Sequence, residues 1–512
     1  MSALSIKIGR SCQINFHEAA KPIAKTFHVN YLLDMLKKIF QYPVLAACRF
    51  WRPVFLVLPV FCLMAGDAFC AEKSRPLRKN APAPIVVQSR GLKKAAPKGV
   101  YNMREAVMQA LSHNPSLAAE EAQSRSSEET RKSRRGAFGP KLGMSYTATK
   151  QERKTEPSSS RPPELGTYSW SIEISQPVFQ GFQLLASYQR AALQADSDQA
   201  SLLNSELTMT TNVQSEFLSY LRAEENVKSE NEALERLREQ LRITRAFYEV
   251  GLRPKLDVLQ AEVDVSTAES TLIQAENVRD TAQARLNTLL GFSAAAKIDY
   301  VGRLAHVPFN RTLEQCLETA YRQRPDLYMA AKSVEIAEKD QKVAQSDYYP
   351  QVEAYYNINQ QGNTPDLQRK GNYSSRSSTW EVGARATWNV FQWGTTYYAD
   401  KSAGWLVTRM RHEEEKLKLD VGYDIKSRLL SLREAEKRIT VAEKGVREAR
   451  EAYEAALARY QEQVGTNFDV LDASSNLTRA QSSLTGSRAD YLTALSQLYT
   501  AMGEFRPDLL LR

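Results

Sequence analysis

Two aspartates near the end of the chain have the residue type and the spacing that suit cation binding. Asp469 and Asp472 lie three residues apart in the stretch VGTNFDVLDASSNL, where a long heptad pattern begins. Residues three apart share one face of a helix, so both carboxylates can point the same way, as they would into the lumen of a channel. The alternative is helix capping, because Thr466 and Asp469 fit a capping box and acidic side chains in a first turn favour the helix dipole. Capping fits Asp469 better than Asp472, which lies deeper in the helix, and the two roles are compatible.

Side chains that could support catalysis or bind a metal show no such spacing. The histidines lie far apart, and the sequence contains no phosphate-binding loop, nucleophile elbow or CxxC pair. We therefore predict that the chain is not an enzyme and binds neither a metal nor a cofactor. Cys316 lies in LEQCLETA, an amphipathic pattern that predicts a buried small side chain rather than a reactive thiol. The histidines are His17, His28, His113, His306 and His412.

The first hundred residues differ in charge from the rest of the chain. They contain 16 of the 68 Lys and Arg side chains but only 4 of the 59 Asp and Glu side chains. The net positive charge therefore belongs to these first hundred residues, the leader, which argues against nucleic-acid binding. The apolar run PVFLVLPVFCLMAG follows basic residues and predicts a secretory signal peptide within 1–71. Cys70 offers a lipid anchor as the alternative, but the bulky Phe69 before it disfavours lipidation.

The remainder of the chain is a tandem duplication. Pro115 matches Pro325, 210 residues later, and the segments 248–291 and 460–503 share 13 of 44 positions without a gap. Internal repeats of this kind mark structural units. The predicted organisation is a signal peptide at 1–71, a flexible basic linker at 72–100, a first repeat at 101–300, a second repeat at 301–505 and a C-terminal tail at 506–512.

Each repeat contains runs in which apolar and polar residues alternate. Apolar residues, Trp170 among them, occupy the even positions from 168 to 174, and Trp380 and Trp388 occupy even positions in the second repeat. Such alternation predicts strands with one apolar face. Aromatic side chains near strand ends are typical of a membrane interface, so we predict lipid contact for these tryptophans, with a soluble core as the alternative. The predicted strands lie at about 143–153, 168–178, 352–362 and 379–391.

Helices account for most of each repeat. Amphipathic stretches at 103–136 and 311–347 precede the strands, and the segments 178–253 and 366–506 contain no proline. Because Glu, Lys, Arg, Gln, Ala and Leu dominate the proline-free segments, we predict helices of about 70 residues and about 100 Å. The helices that return from them share a heptad seam, which predicts coiled-coil hairpins.

Four strands per chain cannot close a barrel. Beyond the leader no run is apolar enough for a membrane helix, and an open strand edge in lipid leaves backbone groups unpaired. Several chains must therefore contribute: two would give eight strands with a filled core, and three would give twelve with a lumen. Small residues on the polar face favour the twelve-stranded barrel with a lumen; they are Ser169, Ser171 and Gly383. A soluble sheet packed on the helices is the alternative, but it would need neither an export signal nor such long helices.

These features together resemble the TolC-type outer-membrane efflux protein family. The resemblance rests on the duplication, on the junctions SQPVFQG and WNVFQWG, and on the turn YxxxVGxxxDVLDA before the last helix. It implies a mainly α fold with a membrane β-barrel, in which three chains complete 12 strands and long coiled-coil hairpins form a periplasmic α-barrel. It also implies a passive exit duct in the Gram-negative outer membrane, for a tripartite efflux pump or type I secretion. A periplasmic coiled-coil adaptor or scaffold is the alternative from another class.

The same resemblance implies partners. They are two further copies of the chain in a homotrimer, a periplasmic adaptor (membrane fusion) protein, an inner-membrane ABC or proton-driven transporter, and outer-membrane lipid, but not nucleic acid. The sequence does not indicate whether the cargo is a protein or a small molecule.

The resemblance assigns a gate to the hairpin tips. Asp469 and Asp472 are implied to form rings at the narrow periplasmic entrance, and Tyr460 is implied to hydrogen-bond Asp257 and hold the entrance closed. Family members usually carry an arginine at the position of Asn467. That part of the latch is therefore missing here or moved, with Arg253 in the first repeat as the candidate replacement.

Overall fold

The computed structural model describes residues 99–150, 166–365, 367 and 376–510. The predicted signal peptide and the predicted linker up to residue 98 lie outside the described residues, as do residues 151–165 between the first two long strands. In these described ranges, no helix has both the length and the apolar character that a membrane crossing requires.

The first repeat begins with short elements and ends with a long helical hairpin. Its elements are strand β1 (Val100–Tyr101), helices α1 (Met103–His113) and α2 (Pro115–Gly136), strands β2 (Lys141–Lys150) and β3 (Gly166–Gln180), and helices α3 (Gln183–Glu249) and α4 (Lys255–Leu289).

The second repeat has the same order of elements, counted from a strand that lies just before the predicted boundary at residue 301. They are strand β4 (Asp299–Tyr300), helices α5 (Leu313–Gln323) and α6 (Pro325–Gln345), strands β5 (Gln351–Gly362) and β6 (Arg376–Thr387), and helices α7 (Thr395–Gln461) and α8 (Asn467–Ala501). Helices α3 and α7 contain 67 residues each, and α4 and α8 contain 35 each. The predicted mainly α fold with four long strands is confirmed, and the duplication extends to the lengths of the long helices.

Proline divides each of the two predicted amphipathic stretches into two helices. Asn114 and Arg324 have extended backbones, and Pro115 and Pro325 start the next helix. A residue before proline is disfavoured in the helical region, and proline has no N–H for the helix ladder, so the first helix ends there. The Asn114 side chain then caps α2 by accepting a hydrogen bond from the backbone N–H of Ser116.

The four long strands form one antiparallel sheet in the order β2-β3-β5-β6. Its register places the apolar residues of neighbouring strands opposite one another: Met144 pairs with Ile172, Ile172 with Ile358, and Ile358 with Trp380. Paired residues point to the same side of a sheet. The alternation within each strand therefore produces one continuous apolar face across all four strands.

Strand β6 ends earlier than the sequence pattern predicts. Thr387 pairs with Gln351, which is the first residue of β5, so the residues after Thr387 have no strand to pair with. Trp388 consequently lies beyond the strand, and its indole N–H donates to the backbone carbonyl of Tyr348 at 3.2 Å.

The main hydrophobic core lies where the short elements of both repeats pack against the long helices. Parallel strands β1 and β4 pair there, and Tyr300 of β4 contacts Phe217 of α3 edge to face at 5.8 Å. Cys316 is buried in this core as a free cysteine, as predicted. Helix α8 packs against both α3 and α7, whereas the main neighbour of α4 is α3.

Candidate functional site at the hairpin tips

The tips of the two hairpins are short turns with the same backbone conformation. Residues 250–254 join α3 to α4, and residues 462–466 join α7 to α8. Gly251 and Gln463 occupy equivalent positions, and both are left-handed, with φ of 79° and 63°. In each turn the next amide donates back to a carbonyl of the preceding helix. Glycine adopts this conformation freely, whereas an L side chain adds roughly 1 kcal/mol of strain.

Asp469 caps helix α8. Its carboxylate accepts hydrogen bonds from the backbone N–H of Thr466 at 3.0 Å and from the Thr466 hydroxyl at 2.7 Å. The Thr466 hydroxyl in turn accepts from the backbone N–H of Asp469, so the predicted capping box is confirmed. The hydrogen bonds from Thr466, with a contribution from the charge of Arg459, hold the pKa of Asp469 below its ordinary value. The exposed carboxylate is therefore ionised at neutral pH.

Asp472 is also exposed on α8, and its charge is not neutralised by its hydrogen-bond partner. The carboxylate accepts from the side-chain amide of Asn476 at 3.0 Å. Asp257 has a different setting, half-buried in the first turn of α4, where Pro254 occupies the cap position without a side-chain hydrogen bond. The second hairpin thus carries two exposed carboxylates at its tip, and the first carries one that is partly covered.

Tyr460 is buried between the two hairpins. None of its surface is exposed, and its hydroxyl is hydrogen-bonded to that of Thr244 on α3 at 2.9 Å. The resemblance implied a bond to Asp257 instead; among the described residues the Tyr460 hydroxyl pairs with Thr244 alone. Phe247 packs against the Tyr460 ring with the centroids 5.8 Å apart. Tyr460 therefore joins α7 to α3, the outgoing helix of the other hairpin.

Arg253 connects the two turns directly. Its guanidinium donates to the backbone carbonyl of Gly465 at 2.8 Å and lies over the Tyr460 ring, 5.0 Å from the centroid. Arg253 and Gly465 occupy equivalent positions of the two repeats. An arginine in the first repeat thus makes a contact across the tip, and its role as part of a latch stays a prediction.

Asn467 makes a second connection between the hairpins. It is 7% exposed, and its side-chain carbonyl accepts from the amide of Gln240 at 2.7 Å. The same amide lies 3.5 Å from the Thr244 hydroxyl. Asn467 therefore joins α8 to α3 through a neutral hydrogen bond.

Gln240 and Thr244 are functional candidates that the sequence interpretation missed. They lie four residues apart on the face of α3 that packs against the second hairpin, and both are buried. The equivalent positions in the second repeat are Ala452 and Ala456. The contrast between the two copies is the signal that could have identified them. At these seam positions the first copy has polar residues, whereas the second copy has small apolar residues.

The tryptophans lie at the opposite end of the long helices. Trp380 is 65% exposed on the apolar face of the sheet. Trp170 shares that face but is half-buried, and its indole N–H donates to the side chain of Gln360 at 2.7 Å. Trp388 lies just past the end of β6 and is exposed. These positions agree with the predicted lipid contact, which stays a prediction.

Comparison with known proteins shows the family. The family model described as outer membrane efflux protein matches the chain twice, at 106–292 and 316–504. Outer membrane protein TolC of Vibrio cholerae is 25% identical over 413 residues, which cover 78% of this chain and 90% of the relative. Alkaline protease secretion protein AprF of Pseudomonas aeruginosa is 22% identical over 406 residues, which cover 76% of this chain and 82% of the relative.

Solved structures show the same fold. The Campylobacter jejuni CmeC outer membrane channel superimposes with a TM-score of 0.68 at 17% identity, covering 78% of this chain and 85% of that chain. The MtrE outer membrane channel of Neisseria gonorrhoeae, in its open state, superimposes with a TM-score of 0.66 at 16% identity. The match covers 84% of this chain and 97% of that chain. The adaptor alternative is thereby set aside. Because the family model matches most of the chain in two repeats, the chain belongs to the outer membrane efflux protein family and is an outer-membrane exit channel with a long periplasmic helical part.

Proposed function

We propose that three copies of this chain form a passive duct whose periplasmic entrance lies at the hairpin tips. The observation that supports it most is the separation of two surfaces: the apolar sheet face lies at the start of α3 and α7, and the exposed carboxylates of Asp469 and Asp472 lie beyond their far end. Helices of 67 residues extend about 100 Å. That length suits a duct that begins in the outer membrane and opens deep in the periplasm.

The sheet supports an assembly of several copies. Strands β2 and β6 are the outer strands of the four-stranded sheet, so each chain offers two edges for pairing. Three chains give twelve strands and a lumen. Exposed apolar side chains on the long helices support the same assembly, because a neighbouring copy would cover them. They include Leu256, Val263 and Ile273 on α4, and Trp405, Leu419 and Val441 on α7.

The tips supply the gate of this duct. In a trimer, Asp469 and Asp472 would contribute six carboxylates around one opening. Asp469 hydrogen-bonds Thr466 and Asp472 hydrogen-bonds Asn476, and in the described part of the chain neither carboxylate forms an ion pair, although the charge of Arg459 acts on Asp469. A ring of uncompensated carboxylates attracts cations and repels anions. We expect cation preference and block by divalent cations.

The duct has no energy source or catalytic site of its own in this proposal. It takes cargo from an inner-membrane ABC or proton-driven transporter through a periplasmic adaptor. The relatives point to both cargo classes, since AprF is named for alkaline protease secretion and TtgC of Pseudomonas putida for toluene efflux. The transporter that cross-linking captures with this chain would decide between them.

Reconstitution tests the proposal. The full chain, extracted from membranes in detergent, should migrate as a heat-sensitive trimer and give discrete conductance steps in planar bilayers. Replacing Trp380 with Asp, which places a charge on the exposed apolar face, should reduce membrane insertion; Glu318→Gln on α5, at a largely exposed position, is the matched surface control. A chain that stays monomeric and soluble without detergent would contradict the proposal.

A further inference from the structure

The polar face of the four-stranded sheet lies far from the hairpin tips, yet it carries charged side chains. The odd-numbered residues of the long strands lie on this face, on the side opposite to Trp380 and its apolar neighbours. In the proposed barrel the apolar face contacts lipid, so the polar face lines the lumen. Within the described strands, the charged residues of the polar face are Lys141, Glu173, Glu353, Glu381 and Arg385.

Tyr355 lies flat across the neighbouring strand on this face. It is paired with Gly383 in the register of β5 and β6. A Cβ at Gly383 would lie 2.9 Å from the Tyr355 hydroxyl oxygen and 3.0 Å from the ring carbon that carries it. Glycines in strands allow such a close approach, and an aromatic ring from the next strand can cover them. The position of the ring therefore depends on the absence of a side chain at Gly383.

Arg385 stacks on the ring that Gly383 admits. Its guanidinium lies over Tyr355, 5.3 Å from the ring centroid. Glu353 is directly opposite Arg385 in the register, but the described part of the chain shows no ion pair between the two. An exposed cation–π contact and an exposed ion pair are similar in strength, so the position of the ring decides which partner the arginine takes. The charge of Arg385 is therefore not neutralised by its neighbour.

We propose that Arg385 is a specificity-determining residue of the barrel lumen, with Tyr355 as its positioning residue. This proposal rests on the proposed function. A guanidinium that stacks on a ring keeps its N–H groups at its edge, where they can donate two parallel hydrogen bonds to a carboxylate. Arg385 thus offers a contact for carboxylate groups of the cargo and lowers the cation preference that the entrance sets. Because Arg385 is exposed, the contact is weak enough for cargo to leave again.

The first repeat lacks this arrangement. The positions that correspond to the tyrosine, the glycine and the arginine hold Ser145, Ser171 and Glu173. Ser145 and Ser171 are hydrogen-bonded to each other at 2.8 Å, so no ring covers the strand there. Equivalent positions of the two repeats thus carry opposite charges. In a trimer, three arginines would alternate with three glutamates around the lumen.

Bilayer recordings on the reconstituted trimer test the role of the charge. Arg385→Gln should raise the permeability of K⁺ relative to Cl⁻ by roughly twofold, as expected when one positive charge is removed several ångströms from the path of ions in water. Citrate added on the barrel side of the bilayer should reduce the current of the wild type, and that of Arg385→Gln much less. Arg376→Gln is the matched control, because Arg376 lies on the same strand but on the apolar side.

Substitutions of Tyr355 test its role in positioning the arginine. Tyr355→Phe keeps the ring and should behave like the wild type. Tyr355→Leu should release Arg385 to pair with Glu353 and so reproduce the effect of Arg385→Gln. Adding Glu353→Gln to Tyr355→Leu removes that competing partner and should restore inhibition by citrate, which a merely structural role of the tyrosine would not do.

The outcomes separate this proposal from the duct itself. If Arg385→Gln forms trimeric channels with the selectivity and the citrate inhibition of the wild type, the role of Arg385 is overturned. If Arg385→Gln has the expected effect but Glu353→Gln does not rescue Tyr355→Leu, the positioning role of Tyr355 is overturned. A wild-type chain that forms no channel would instead contradict the duct, and the proposed lumen with it.

Discussion

The two hairpin tips are copies of one structural unit, yet they differ in chemistry. Both have helices of 67 and 35 residues joined by a turn with a left-handed residue. The second tip has the capping box, the additional aspartate and the buried tyrosine. The first has Pro254, Gln260 and Tyr248 at the same positions. The two copies therefore share the backbone conformation of the tip but differ in its charge and in the side chains that join the hairpins.

In the proposed duct, the two hairpins have different tasks at the entrance. Helix α8 is packed between α3 and α7, and it presents charge at its first turn. Helix α4 has α3 as its main neighbour and leaves apolar residues such as Val263 exposed. The second hairpin supplies the ring of charge in this account, and the first supplies the surface that holds it.

The largest predicted difference between the tips concerns the equivalent tyrosines. Tyr460→Phe removes a buried hydroxyl and leaves its partner, Thr244, with only the long 3.5 Å contact to the Gln240 amide. It should lower the free energy of unfolding by about 2 kcal/mol and raise the open conductance. Tyr248→Phe should change the free energy of unfolding by less than about 0.5 kcal/mol, because Tyr248 is exposed. Denaturant unfolding and single-channel recordings measure the effects of both substitutions. Equal effects would contradict the predicted difference between the two tips.

The next difference concerns the helix caps. Thr466→Ala should destabilise the second tip by about 1 kcal/mol, because α8 loses its N-cap hydrogen bond. Thr466→Ser retains the hydroxyl and should behave like the wild type. Pro254→Ala should cost less, since Pro254 makes no side-chain cap bond. If hydrogen exchange shows the same loss of protection at both tips, the capping box does not distinguish them.

The cap also predicts a pH dependence of stability. Because the pKa of Asp469 is lowered in the folded chain, its ionised form stabilises the tip at pH values above its unfolded pKa of about 3.9. That contribution is lost as the pH falls through the lower folded pKa. Thr466→Ala should raise the folded pKa, so cation preference should fall at a higher pH than in the wild type. Reversal potentials recorded along a pH series check the direction, and an unshifted curve would argue against the cap as the cause.

The turns should respond to substitution with opposite signs at the two tips. Gln463→Gly should relieve the left-handed strain and stabilise the second tip by about 0.5 kcal/mol, whereas Gly251→Ala should destabilise the first by about 1 kcal/mol. No heavy atom lies near the position of a Cβ at Gly251, so a loss there would come from the backbone alone. Opposite signs in thermal unfolding support the comparison, and equal signs contradict it.

The sequence predicted the elements well because periodicity and capping are local signals. The alternation around Trp170 and the capping box at Thr466 were visible in the sequence and are present in the structure. The break at Pro115 was not predicted, because apolar periodicity alone does not show where one helix ends and the next begins. The end of β6 at Thr387 depends on where its partner strand begins, and alternation within one strand does not contain that information.

The contacts that join the two hairpins at their tips were the least predictable part. Gln240 and Asn467 are 227 residues apart, and their contact depends on how α3 packs against the second hairpin. The family resemblance places an arginine at the position of Asn467, so the asparagine suggested that a contact is missing. The structure shows a different polar partner at that position, which only the packing of two long helices reveals.

The most direct test of the central claim is the ion selectivity of the reconstituted trimer. The double variant Asp469→Asn with Asp472→Asn keeps the size of both side chains, and Asp257→Asn is the matched change at the first tip. Reversal potentials in a salt gradient should show that the double variant loses most of the cation preference and the divalent-cation block, while Asp257→Asn loses much less. Unchanged selectivity in the double variant, or an equal loss in Asp257→Asn, would contradict the assignment of the charged entrance to the second hairpin.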